Sequence, residues 1–134
     1  MRTNAMLALI AGLCVAASAK AAPADPTSDR TLSAEYHRCA GPNDGNSAAE
    51  QCIEPEFWRQ DGRLNEAYRA AMARLAPARQ AALRDSERAW VKARQAECNR
   101  LYREMEGGTA DGLTLDTCMA VRAIERTAWL EHFR

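Results

Sequence analysis

Histidine, metal-ligand clusters, phosphate loops, strand-like alternation and net charge are all scarce in this chain, and each scarcity removes a class of function. His37 and His132 are the only histidines. Neither lies in a group of four ligands, which leaves no zinc-type centre, and His37-Arg38-Cys39 lacks the partners of a thiol nucleophile. The one glycine pair, Gly107-Gly108, follows a helical segment instead of a strand, so no phosphate cradle is present. No two carboxylates stand isolated on an apolar surface, as general acid–base chemistry would need. The chain therefore reads as a non-enzyme without cofactor. Lys plus Arg and Asp plus Glu number 18 each, and so balanced a charge points to neither nucleic acid nor a membrane surface.

What is present begins with an export signal. Met1 to Ala21 carries Arg2 at the front, an apolar run from Met6 through Val15, and then small residues. The run is shorter than the roughly 18 residues a membrane-spanning helix needs, and no later stretch approaches that length. Cleavage is expected after Ala19, Ala21 or Ala24. Leu13 precedes Cys14 inside the apolar run, unlike the small residue before a lipoprotein cysteine, so Cys14 leaves with the signal. Loss of residues 1–21 removes Arg2 and Lys20 and leaves 16 basic against 18 acidic side chains, a formal −2. The mature protein is expected in the periplasm or outside the cell, with no membrane attachment.

Four cysteines remain, Cys39, Cys52, Cys98 and Cys118. An even number in a short exported chain reads as two disulfides, with three pairings open before geometry is considered. Much of the apolar content is alanine, which buries little area per residue, so crosslinks matter here.

The organisation is helical. Residues 22–38, rich in Pro, Ala and Asp at the start, are expected to form a flexible leader, with a short helical turn near its end suggested by Leu32 and Tyr36, four apart. Gly41 to Asn46 is dense in turn formers. Ser47-Ala-Ala-Glu50 matches a capping box and predicts a helix start at Ser47. Pro55 either ends a short helix at Ile53 or kinks one long helix. Phe57, Leu64, Tyr68, Met72 and Leu75 share a face of the first long helix. Pro77 opens a second, which runs to about Glu106 and stops at Gly107-Gly108. A polar loop, Thr109 to Thr114, leads to a third from about Leu115 to Phe133. The expected fold is all-α, a small antiparallel bundle of three main helices with two disulfides, in a domain spanning residues 39–134.

In an antiparallel hairpin, Cys98 lies about two turns before the end of the second helix and Cys118 about one turn into the third, so they meet at similar heights. Cys39 then pairs with Cys52 across the turn-rich loop. The second helix is the part around which the chain is read as organised. Leu83, Trp90, Arg94, Cys98, Leu101 and Met105 follow one another at steps of seven, four, four, three and four, and this one face mixes an aromatic, a guanidinium and a sulfur.

Taken together, Cys39 and Cys52 around a loop, Leu64-Asn65-x-x-Tyr68, Trp90-x-x-x-Arg94-x-x-x-Cys98, Gly107-Gly108, Cys118, and Arg126-Thr127 with Leu130 resemble the LprI-type lysozyme-inhibitor family. The resemblance covers roughly Cys39 to Leu130. Glu87, Gln95 and Ala123 stand where the family often has Gln, an acidic residue and Thr. It implies an exported, disulfide-bonded helical domain that inhibits lysozyme-type muramidases by blocking the enzyme cleft. The alternative is a periplasmic interaction or envelope-stress module with another partner.

Leu64, Asn65, Tyr68, Trp90, Arg94 and Arg126 read as structural. The two arginines fall among core positions, so their heads must be paired, with Glu87, Asn65 or backbone carbonyls as the expected partners. Trp90, Trp129, Tyr68 and Phe57 read as core aromatics. Candidate partner-binding residues are Asp44 and Asp111, in the two loops, and Trp58, which sits off the apolar face of its helix.

Overall fold

The computed structural model describes residues 31–41, 45–105 and 111–134, with backbone alone at 45, 46 and 111–114. The signal at 1–21, the first part of the leader, Asp44 and Gly107-Gly108 lie outside the described residues. Four helices and no strand occur among the described residues: α1 (Ala34–Ala40), α2 (Gly45–Arg74), α3 (Pro77–Glu104) and α4 (Asp111–His132). The three long helices are those expected, and no helix described is long and apolar enough to cross a membrane.

The folded part begins earlier than residue 39. Ser33 caps α1 by accepting from the Tyr36 amide at 3.2 Å. Leu32 and Tyr36 are buried against Cys52, Ile53 and Val121. The Ser33 amide and hydroxyl donate to Glu56 at 2.8 and 2.7 Å, fixing this arm to α2. The end of the segment read as a flexible leader is therefore a docked arm, held by contacts with residues some twenty positions away that local composition does not encode.

α2 is a single helix that passes through Pro55. Proline deprives the carbonyl four residues back, that of Gln51, of its helical donor. Both residues are exposed, so water can take up the lost bond. Ile53 and Glu56 on the buried side hold the helix on course. α2 also starts at Gly45, ahead of Ser47, and α4 at Asp111, ahead of Leu115. The polar and small residues read as loop are absorbed into first turns, where backbone donors need no intrahelical acceptor and weak helix formers cost little.

The turn at Leu75–Ala76 is closed from both sides. The Gln80 side-chain amide donates to the Met72 and Leu75 carbonyls at 3.0 and 3.1 Å, and Pro77 opens α3. Arg74 reaches across to the end of α4, donating to the Leu130 carbonyl at 2.6 Å. These bonds satisfy carbonyls that helix C-termini leave free.

The hub of the bundle is α4, not α3. All three buried clusters draw on it: Ala120 and Val121 with the α1 arm, Ala123 and Leu130 with Leu64, Ala71 and Leu83, and Cys118 and Met119 with Cys98. The closest packing is of α4 on α2, then on α3. Small side chains at Ala120 and Ala123 permit that approach. α3 buries only Leu83, Arg94 and Cys98, and Met105, expected on its core face, is an exposed helix cap.

Cys39 pairs with Cys52 and Cys98 with Cys118, at Cα separations of 5.8 and 5.6 Å. The start of α2, the end of α3 and the start of α4 lie together, so both crosslinks fasten the same end of the bundle. Each contributes about 3 kcal/mol in the chain-entropy account.

Candidate functional site

Arginines lock α3 to its neighbours. On α4, Arg122 grips Glu97 of α3 with two parallel bonds, Nε to Oε2 at 3.0 Å and Nη2 to Oε1 at 2.6 Å, and also reaches Glu125. The bonds to Glu97 hold the guanidinium's pKa above its ordinary value. One turn later Arg126 donates to Glu87 at 2.6 Å and to the Ser86 hydroxyl at 2.8 Å. Its Cζ lies 3.7 Å from the Trp129 ring centroid and 5.6 Å from that of Trp90.

Arg94 is only 9% exposed and projects from α3 toward α2. Its Nη1 donates to Asp61 at 3.2 Å, its Cζ stands 4.7 Å from the Trp90 ring centroid, and its Nε is buried with no acceptor. Of the partners named from sequence, Glu87 takes Arg126, while Arg94 takes Asp61 in place of Asn65. Asn65 instead donates its own amide to the Asp61 carbonyl at 2.9 Å, one turn back on α2.

Between α2 and α3 lies an open groove of about 560 Å³. Leu64, Tyr68, Trp90 and Val91 supply its apolar surface, Asp61, Asn65 and Glu87 its acceptors and amide, and Arg84, Arg88, Lys92 and Arg94 its cations. Five of the residues that carry the family resemblance, Leu64, Asn65, Tyr68, Trp90 and Arg94, meet on this one feature. Sequence reasoning placed them along the helices but did not find the groove. The signal available was the run Arg84, Arg88, Lys92 at steps of four on the solvent side of the same helix.

The remaining candidates scatter. Trp58 is 62% exposed, its ring 4.8 Å from that of Phe57, whose own side chain packs against two core clusters. Trp129, read as core, is 40% exposed. It lies at the open end of α4, where its ring rests on Arg126 and on Phe133, 4.6 Å away. Asp111 is the first residue of α4; its side chain lies outside the described residues, as does all of Asp44. Beneath the α1 arm, Glu56 is fully buried and accepts from Ser33, Gln60 and Arg59. Burial is the largest single influence and opposes ionisation, yet the bonds from Ser33, Gln60 and Arg59 together hold the carboxyl below its ordinary pKa. Burial, aided by Glu54, pushes Asp116 the other way. Among the described residues, no group of three or more His, Cys, Asp or Glu is arranged to hold a metal ion.

Fold and site define a small all-α domain, stapled by two disulfides, with three arginines, Arg94, Arg122 and Arg126, paired to carboxylates across helices. Such crosslinking fits an exported protein. The chain belongs to the LprI family: the family model described as "Lysozyme inhibitor LprI" matches residues 39–130, nearly all of the folded part. No curated protein and no solved structure matches the chain.

Proposed function

We propose that the protein is an exported inhibitor of a lysozyme-type muramidase, acting in the periplasm or outside the cell by seating one end of its bundle against the enzyme cleft. The observation that carries this, beside the family match, is that both disulfides fasten the same end. Cys39–Cys52 ties α1 to the second turn of α2, and Cys98–Cys118 ties the last turns of α3 to the second turn of α4. A surface held in place by crosslinks loses little conformational entropy on binding, so more of its contact energy becomes affinity. In the sequence Asp44 lies five residues after Cys39 and Asp111 seven before Cys118, and in this proposal the two carboxylates meet a basic enzyme surface.

The test is muramidase activity on cell-wall substrate, with the purified, oxidised protein titrated in. Inhibition at micromolar concentration or below is expected. Asp44→Ala and Asp111→Ala each weaken it by roughly tenfold, the loss of one interfacial charge contact of about 1.4 kcal/mol. No inhibition of either animal-type or bacterial lysozymes at micromolar protein overturns the proposal.

Trp58 favours a second reading, an interaction module for another exported partner. An aromatic 62% exposed on a rigid helix is the kind of residue that anchors protein interfaces. Under this reading Trp58→Ala abolishes partner capture; under the first it leaves muramidase inhibition unchanged.

A further inference from the structure

The groove between α2 and α3 stands apart from the disulfide-fastened end, and its chemistry is lopsided. Its two carboxylates are already engaged, Asp61 by Arg94 and Glu87 by Arg126. Of its four cations only Arg94 belongs to those pairs. Arg84 and Lys92 have no ion-pair partner among the described residues, and Arg88 has only Asp85, 3.6 Å away with both side chains exposed. Four cations against two committed carboxylates make this a local positive field in a chain whose formal charge is zero.

The second observation is Arg94 itself. Nine-tenths buried in the groove wall, it spends one bond on Asp61, while its Nε has no acceptor at all. A buried donor left unsatisfied is costly, and a guanidinium has five donors in a fork that matches a carboxylate's two oxygens. The Nε is covered as the structure stands. For a ligand acceptor to take the Nε–Nη2 edge, the side chain has to turn toward the groove while Nη1 keeps Asp61.

We propose that this groove binds a small organic acid whose carboxylate sits beside an apolar face. The carboxylate meets Arg94, with Arg84 and Lys92 supplying field from the rim, and the apolar face rests on Leu64, Tyr68 and Val91. A volume of about 560 Å³ falls within the range of small-molecule sites, roughly 300–1,000 Å³. It is small for a folded partner. Trp90 orders the site, since the guanidiniums of both Arg94 and Arg126 stand near its ring.

The experiment uses the oxidised protein and a matched pair of probes, N-acetylphenylalanine and its uncharged amide, followed by the NMR signals of the Trp90 indole N–H and the Val91 methyls. The acid is expected to shift both signals saturably, and the amide to bind roughly tenfold more weakly or worse, as expected for a lost charge-assisted bond. Arg84→Ala and Lys92→Ala, on exposed positions that leave the fold intact, each weaken the acid about threefold and lower its salt dependence. Arg94→Gln removes the preference for acid over amide. The proposal is overturned if acid and amide shift the signals equally, if neither does so up to millimolar concentration, or if Arg84→Ala and Lys92→Ala bind as the parent does. Tighter binding of a polyglutamate peptide than of N-acetylphenylalanine also overturns it, in favour of an acidic protein partner.

Discussion

Arg94 of α3 donates to Asp61 of α2 across 3.2 Å, bridging two helices that both pack more closely on α4 than on each other. Arg94 is almost wholly buried and Asp61 a quarter exposed, so the pair is shielded from solvent on one side only. Arg94→Met therefore lowers stability by about 1–3 kcal/mol, less than for a fully buried pair, because water can still reach the stranded carboxylate. Combining it with Asp61→Asn recovers part of the loss. Urea denaturation of the single and double variants measures the coupling; strict additivity would mean that the pair contributes nothing.

Glu56 makes the α1 arm acid-sensitive. Its folded-state pKa is depressed below the ordinary 4.5, so its contribution is fully present above that value and is lost as pH falls through the folded-state pKa. Asp116, whose pKa is raised, works in the opposite direction and gains as pH falls. Because Glu56 anchors Ser33 directly, the protection of the Ala34–Ala40 amides against exchange, taken relative to their intrinsic rates, should fall as pH drops through the folded-state pKa of Glu56, before the rest of the bundle opens. Glu56→Gln, which sets an amide N–H₂ against donors, should cost about 2–3 kcal/mol and remove this pH dependence. Hydrogen exchange as a function of pH checks both.

The two disulfides should differ in reach. Cys39→Ser with Cys52→Ser frees the α1 arm, which the far-UV spectrum records as the loss of one short helix while α2 to α4 persist. Cys98→Ser with Cys118→Ser cuts the bond between α3 and α4 and lowers global stability by about 3 kcal/mol, read from the denaturation midpoint.

Trp90 and Trp129 should separate by mutation. Trp90 packs in the cluster of Leu64, Leu83 and Leu130, so Trp90→Ala costs about 3 kcal/mol or more. Trp129 is 40% exposed and offers Arg126 and Phe133 a surface, so Trp129→Ala costs about 1 kcal/mol. Thermal melts of the two variants test the ranking.

The helices and the disulfide pairing were legible in the sequence because both rest on local rules. A residue adds about 1.5 Å along a helix, so counting back from the stop expected after about Glu106 and forward from the start expected near Leu115 places Cys98 beside Cys118 without any knowledge of packing. At Pro55 the sequence left two readings open, a short helix ending at Ile53 or one long helix with a kink, and the structure has the single helix. Local chemistry treats it as a breaker, while the burial of Ile53 and Glu56 on either side keeps the helix whole. The α1 arm was obscured for the same reason, since Ser33 finds its acceptor twenty-three residues away.

The candidate site was half legible. Arg94 and Arg126 stood out as charges on apolar faces, and that each needs a partner follows from the cost of burying a charge. Which partner each found depends on how far α2 and α3 splay around α4 and how each is turned about its axis, and no periodicity encodes either. The same relation opens the groove and leaves the Nε of Arg94 without an acceptor. Sequence alone determined an all-α, doubly crosslinked domain, because helix period, capping and cysteine spacing act over a few residues. Tertiary structure alone decided that α4 is the hub, that Asp61 receives Arg94 and that a cationic groove lies beside them, because those outcomes depend on the docking of surfaces far apart in the chain.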